Sequence, residues 1–450
     1  MENVIQNFWT KSKLLIKALI IAFIVLILQI PTFYVKELIQ EREERQRQAI
    51  AEVSSRWAGS QTVTGPVIVI PFWKAELNTR SKQFAYFLPD ELFIQTNAIP
   101  EEKHRGIYKV MLYTANVSIT GKYNNIALDA LGISPQDVIW NEAVVKIPIA
   151  DNKGLNDEFT LRWNDTSLVL SPQTVKDPSI NNGLEANLRW TGPAGMQKIN
   201  FSTSMNLNGS QQLLFTPTGR TTSVTMASQW PHPSFTGSDL PQTTTINSKG
   251  FSATWKSISH KRPFPQQWIG GSYSFSSVPY INADVRTTST STSYNNLNES
   301  SFGANLFVPV SGYQKTMRSV KYAILCILLT FASFFIIETT NKRSVHPFQY
   351  GLIGVALILF YTLLLSLSEY IGFDTSYFIA SFFTIGLVGW FVKGLLSSSK
   401  LASILSLVLV LLYVYVFTLL QLQDYSLLLG SIGLFLTLAV IMHFSKKIQW

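Results

Sequence analysis

Residues 14–35 read L-L-I-K-A-L-I-I-A-F-I-V-L-I-L-Q-I-P-T-F-Y-V. At 1.5 Å per helical residue, about 20 apolar residues cross the hydrocarbon of a bilayer. This run is long enough, and its one charge, Lys17, lies near its start. A signal peptide would have a shorter apolar part followed by an A-x-A cleavage pattern. Here K-E-L-I-Q-E-R-E-E-R-Q-R-Q (36–48) follows directly, helical and highly charged. The stretch reads as an uncleaved anchor whose helix continues out of the membrane.

Five further apolar runs fill the C-terminal third, at about Val320 to Ile337, Phe348 to Leu367, Tyr377 to Val392, Leu401 to Leu420 and Tyr425 to Phe444. The short connections predict antiparallel neighbours. Tyr322, Tyr350, Tyr370, Tyr377, Trp390 and Tyr425 mark run ends, as interfacial aromatics do. Charge then gives an orientation. Lys11, Lys13 and Lys17 precede the first run, and Lys342 and Arg343 separate the second and third. Lys393 and Lys400 separate the fourth and fifth, and Lys446 and Lys447 follow the sixth. The alternate connections carry Glu369 and Asp374, then Asp424, with no lysine or arginine. The positive-inside rule puts both termini in the cytoplasm and residues 36–319 on the outer side. Lys315, Arg318 and Lys321 oppose the rule, but long translocated domains are largely exempt from it.

The bulk numbers agree. The 450 residues are 47% hydrophobic and only 14% charged, below the roughly 25% charged of soluble domains. Much of the net charge of +9 is topological. No basic patch with stacking aromatics argues for nucleic acid. One cysteine, Cys326, rules out an intramolecular disulfide and a cysteine metal cluster.

Between the anchor and the C-terminal runs the period changes to two. T-V-T-G-P-V-I-V-I-P-F, I-Y-K-V-M-L-Y-T-A-N-V-S-I-T-G-K-Y, S-V-T-M-A-S-Q-W and G-F-S-A-T-W-K alternate between turn residues, with a short helical stretch around Ile126 to Leu131. The expected fold is a membrane protein with an N-terminal transmembrane helix, a large, mainly antiparallel extracytoplasmic β domain and a C-terminal bundle of five transmembrane helices. Its parts are 1–35, 36–319 (opening with a helix) and 320–450. The tract 285–301, rich in Ser and Thr, reads as a loop or exposed edge.

The chain carries no G-x-S-x-G, H-E-x-x-H, P-loop or dinucleotide fingerprint, and no catalytic, cofactor or metal residue is assigned. The pairs Asp90-Glu91 and Glu101-Glu102 read as solvated turns, and His104 as a surface residue. Glu369 and Asp374 fall at a span's edge. Charged groups within a span mark ion paths, but at the edge a polar loop is the simpler reading. Glu338 and His346 flank a connection and read as interfacial. In W-P-H-P-S-F (230–235), each proline pushes its predecessor toward extended backbone and donates no amide hydrogen bond. Trp230, Pro231, His232, Pro233 and Phe235 form a stiff element, read as a clip joining sheet elements ahead of a ligand-binding tip.

At this motif, S-x-W-P-H-P-S-F-x-G (228–237), the chain resembles the CreD family of bacterial inner-membrane proteins. T-G-P-V-I-V-I-P (64–71), R-G-I-Y-K-V (105–110) and G-F-S-A-T-W (250–255) are similar too. So are K-Y-A-I-L-C-I-L-L-T-F-A-S-F-F-I-I-E-T (321–339), H-P-F-Q-Y-G-L-I-G (346–354) and F-Y-T-L-L-L-S-L-S-E-Y-I-G-F (360–373). About 120–200 is similar only loosely. The resemblance implies a protein supporting envelope integrity under envelope stress, including β-lactam exposure and colicin tolerance, under a two-component regulator. It carries over no catalytic residues. Two readings stand beside each other: a non-enzymatic scaffold or sensor whose outer domain meets an envelope protein or cell-wall component, and a transporter or channel with a receptor domain. An enzyme is the weakest reading. Beyond the lipid bilayer, the sequence names no partner and gives no oligomeric state.

Overall fold

The computed structural model describes residues 16–450 except 77–78, 174–176, 181, 276–294, 307–311, 342–343, 423–427, 429, 434, 436–438, 440–441 and 443–450. Two compact units emerge: Ala49–Pro309, and Met1–Gln48 together with Val310–Trp450.

The first unit is built on three main sheets. The largest has eight strands, in the order Thr243–Asn247, Gly250–Ile258, Thr221–Ser228, Glu91–Arg105, Tyr108–Asn125, Gln197–Ser210, Thr160–Trp163 and Thr166–Val169. Its neighbours are antiparallel except Thr221–Ser228 beside Glu91–Ala98, which run parallel. A six-stranded antiparallel sheet runs Gln267–Ile269, Thr79–Phe87, Val67–Glu76, Val144–Pro148, Gly183–Asn187 and Ser171–Pro172. A four-stranded sheet runs Gln61–Thr64, Gln212–Thr216, Phe302–Asn305 and Ser234–Gly237.

Burial follows from this layering. Strand Thr221–Ser228 buries every second residue, so one face of the large sheet is packed. Val67, Ile68, Val69 and Ile70 are all buried, because the six-stranded sheet is covered on both faces. Ile68 and Ile70 join the main core with Leu92, Ile94, Val117 and Ile119. Val67 and Val69 face a second core with Tyr86, Phe264 and Trp268. The helical exception expected around Ile126 to Leu131 is a 3-10 turn at Asp129–Leu131. Glu101 and Glu102 lie in strand Glu91–Arg105 and not in a turn, because that strand pairs with Tyr108–Asn125 as far as Arg105↔Tyr108. Most of the tract 285–301 lies outside the described residues.

The other unit is helical. α1 is Ile16–Trp57, α2 Gly312–Lys321, α3 Ala323–Thr340, α4 Pro347–Ile371, α5 Phe373–Leu396 and α6 Ser399–Gln421. Among the described residues five of these, α1 and α3 to α6, are long and apolar enough to cross a membrane. The run at Tyr425 to Phe444 falls largely outside the described residues, so four of the five C-terminal spans are seen. Ile21, Val25, Leu28, Thr32, Val35 and Ile39 are buried at alternating spacings of four and three, one packing stripe along α1. Phe23, Leu26, Ile30 and Phe33 are exposed on the remaining surface, as suits lipid contact.

The connections are tight. α4 passes into α5 through Gly372 alone, at φ 81°, a left-handed conformation that glycine adopts without strain. His346 caps α4, its Nδ1 accepting from Phe348 N at 3.2 Å while Gln349 Oε1 accepts from His346 N at 3.0 Å. Pro347 opens the helix, where its missing N–H costs nothing. The stretch after Gly312 reads in sequence as one unbroken helix. It breaks instead at Tyr322, whose N–H bonds Ser319 three residues back, where an amphipathic helix gives way to one that is apolar all round.

Candidate functional site

The W-P-H-P-S-F segment crosses between sheets. It leaves strand Thr221–Ser228 of the eight-stranded sheet and enters Ser234–Gly237 of the four-stranded sheet, which pairs with Phe302–Asn305. Two prolines stop both ladders within this crossing. Trp230 Nε1 donates to the carbonyl of His232 at 2.8 Å, closing the turn on itself, and Trp230 N donates to Ser228 Oγ at 3.2 Å. Trp230 is half-buried and packs against the main core from its edge. Phe235 meets Phe251 and Trp255 edge-on, each at 5.7 Å, and Trp255 stacks on Phe302 at 5.8 Å. His232 is exposed, and its ring meets only the edge geometry of Trp230 at 6.3 Å.

The edge residues Glu369 and Asp374 each meet a cation from another helix. Glu369, largely buried, accepts from Tyr313 Oη at 2.9 Å and pairs with Arg42 at 3.8 Å. Asp374 pairs with Lys315 at 3.6 Å and accepts from Gln421 Nε2 at 2.9 Å. This group joins α1, α2, α4, α5 and α6.

A second polar group holds the opposite helix ends. Glu338, at a helix end, is 3% exposed. Lys17 pairs with its Oε1, and the same oxygen accepts from Val345 N at 2.8 Å. Its Oε2 accepts from Tyr350 Oη at 2.6 Å, while Lys17 also donates to Val345 O at 2.7 Å. Burial of the carboxylate is tolerable because every bond it makes is to a donor aimed at it.

The separation of the two groups decides what they do. From Lys17 to Arg42 is 25 residues of α1, about 37 Å at 1.5 Å each. From Tyr350 to Glu369 is 19 residues of α4, about 28 Å. The hydrocarbon is about 30 Å thick, so both groups stand at its edges and not at its midplane. Three hydroxyls of the bundle are spent on backbone, Thr330 Oγ1 on Cys326 O, Ser376 Oγ on Gly372 O and Tyr377 Oη on Tyr413 O, while Ser381 Oγ in α5 is buried with no hydrogen-bond partner among the described residues. A cavity between α4 and α5, about 410 Å3, is lined by Leu359, Phe360, Leu363, Phe383 and Leu387, with the hydroxyls of Thr362, Ser366 and Thr384 among them. The two charged groups are clamps around a mainly apolar interior. Among the described residues, no group of three or more His, Cys, Asp or Glu side chains is placed to hold a metal ion.

The family model of the inner membrane protein CreD matches residues 13–450. The chain belongs to the CreD family. It is similar to the inner membrane protein CreD of Escherichia coli (strain K12), with 29% identity over 436 residues, covering 95% of this chain and 91% of that one. With its several apolar helices it is a multi-pass inner-membrane protein. A solved M1 zinc metallopeptidase from Deinococcus radiodurans is similar over 41% of this chain and 42% of its own, at 10% identity and a TM-score of 0.18, which carries no argument about fold or chemistry.

Sequence reasoning singled out Glu369 and Asp374 but missed their partners. Arg42 lies in a run of alternating charges in which no residue stands out, and Tyr313 lies 56 residues from Glu369. Asp90 is more than a solvated turn residue: Arg220 Nε donates to its Oδ1 at 3.0 Å and Asn124 N to its Oδ2 at 2.8 Å. Glu338 had one legible signal, an acid followed within a few residues by a helix start bearing Tyr350.

Proposed function

We propose that this CreD-family chain is a non-enzymatic scaffold or sensor that supports envelope integrity. In this reading both termini are cytoplasmic, residues 36–319 form the outer domain, and 1–35 and 320–450 form the membrane part. The observation that carries it is the bundle: its paired charges are held in two clamps at its ends, 19 residues of α4 apart, and none of them stands between those ends among the described residues. A carrier of ions or polar solutes needs unspent polar groups lining a wet path. The alternating charge pattern supports the orientation: Lys17, Lys393 and Lys400 mark one set of helix ends, Glu369 and Asp374 the other. The W-P-H-P-S-F element fits a clip that fixes two sheets of the outer domain, with His232 taking no chemical part. The outer domain's partner is an envelope protein or wall component.

The test has two arms. Proteoliposomes holding the chain should be as tight to protons, potassium and glycerol as empty liposomes. Cells lacking the protein should admit more of a normally excluded dye, and the chain should restore the barrier. Measurable flux through the proteoliposomes would replace the scaffold with the transport reading.

A further inference from the structure

The β unit contains a polar crevice that the scaffold reading does not use. It holds about 400 Å3, within the roughly 300–1,000 Å3 of small-molecule sites. Its floor is apolar, with Phe87, Leu88 and Ile126. Its rim carries Asp90, Arg220, Asn124, Asn125, Gln266 and Gln267.

The rim carries one charge of each sign, and the cation keeps donors unspent. Arg220 donates Nε to Asp90 Oδ1 at 3.0 Å, and its side chain is 62% exposed. Its two terminal amino groups make no further hydrogen bond among the described residues. Behind the rim lies a second guanidinium. Arg262 is 7% exposed, stacks over Phe264 at 4.4 Å and donates Nη2 to Gln266 Oε1. Its Nε and Nη1 are buried with no hydrogen-bond partner. Burial, with Arg220 nearby, pushes the Arg262 guanidinium down to about 10, so it stays charged at neutral pH. The two arginines are tied to one point. Pro89 O accepts from both Arg220 N at 2.9 Å and Gln266 Nε2 at 2.6 Å, and Arg220 O accepts from Ser259 N at 2.8 Å, three residues before Arg262. A second, buried cation thus lies behind the Arg220–Asp90 pair at the rim.

The groups present define the anion that fits. A guanidinium with an open fork takes a planar carboxylate. Asp90 on the same rim repels a doubly charged phosphate but accepts an N–H. The side-chain amides of Asn124 and Asn125 at the rim carry donors and acceptors, while Gln266 is engaged by Arg262 and the carbonyl of Pro89. A carboxylate next to an amide N–H and a small apolar side chain is the end of a peptide. We propose that this crevice binds the C-terminal carboxylate of a short peptide or acylated amino acid, Arg220 taking the carboxylate, Asp90 the neighbouring N–H and the apolar floor the side chain. This goes beyond the scaffold reading and does not depend on which side of the membrane the unit faces.

The test is calorimetric titration of the full chain in detergent with N-acetyl-alanyl-alanine, its C-terminal amide and inorganic phosphate. The acid should bind, with the amide and phosphate at least about tenfold weaker, the size of one lost charge-assisted hydrogen bond. Arg220→Gln should weaken the acid by at least about the same factor. Arg80→Gln, an exposed arginine on another strand, should not. Should Arg220→Gln lower the melting temperature, Arg220→Lys keeps the charge without the fork and should still weaken binding. No heat with the acid, equal binding of acid and amide, preference for phosphate, or undiminished binding in both Arg220 variants would each overturn the proposal.

Discussion

Glu338 offers the sharpest test of how the bundle is held. Its carboxylate has three donors: Lys17 from α1, the N–H of Val345 before α4, and the Tyr350 hydroxyl within α4. Glu338→Gln keeps one acceptor oxygen and removes the charge, leaving the Lys17 ammonium with neutral acceptors only, among them the carbonyl of Val345. Breaking one side of a buried ion pair costs about 3–5 kcal/mol. Lys17 is 19% exposed and stands at a membrane edge, where its ammonium regains water, so the expected loss is lower, about 2–3 kcal/mol. Glu338→Ala also strands the Val345 N–H and the Tyr350 hydroxyl, each worth about 1–3 kcal/mol when left unpaired, and should cost more than the glutamine. The protein carries its own reporter: Cys326, its one cysteine, is 2% exposed within α3. A thiol-reactive fluorophore added to the purified chain in detergent reads unfolding as that thiol opens. Lys17→Met and Glu338→Gln, singly and together, give a cycle whose coupling should be about 2 kcal/mol. A glutamine variant that melts with the parent, with coupling below about 0.5 kcal/mol, would mean that the clamp contributes nothing and that the reasoning fails.

Other outcomes follow from the packing. His232→Ala keeps the carbonyl that Trp230 uses and should change the melting of the β unit by no more than about 0.5 kcal/mol, whereas Trp230→Ala should cost about 1–3 kcal/mol, less than a fully buried tryptophan. A folded His232→Ala chain that no longer protects cells would turn the clip into a working site. Gly354→Val should loosen α1 from α4, since a Cβ there would stand 2.2 Å from Leu28 Cδ1; partial rescue by Leu28→Ala in the same thiol assay checks the contact, and a stable Gly354→Val chain would refute it.

The large features were legible because they rest on long patterns. Unbroken apolar runs fixed the helices, and strict alternation found strands such as Tyr108–Asn125 and Thr221–Ser228. Thr79–Phe87 and Glu91–Arg105 were missed because lysines, glutamates and prolines interrupt them; pairing with neighbours overrides that local composition. The parallel pairing of Thr221–Ser228 with Glu91–Ala98 joins segments far apart in sequence and leaves no local mark. Glu338 looked interfacial because it stands at a run's end, and burial there depends on Lys17, 321 residues away. Nothing in the sequence around Arg262 marks it as buried. Its burial is set by the loop Ser259–Lys261 docking on Arg220, a contact that no spacing reveals.

In the proposed topology the β domain lies outside the membrane and the basic ends of the helices face the cytoplasm. Thr245→Cys lies on an exposed edge strand of the β unit, and Ser399→Cys at the exposed start of α6 beside Lys400. A membrane-impermeant maleimide should label Thr245→Cys in cells whose inner membrane is intact, and Ser399→Cys only after that membrane is opened. Cys326, being buried, should contribute little background in either case. Labelling of both positions before the membrane is opened, or the reverse pattern, would contradict the account.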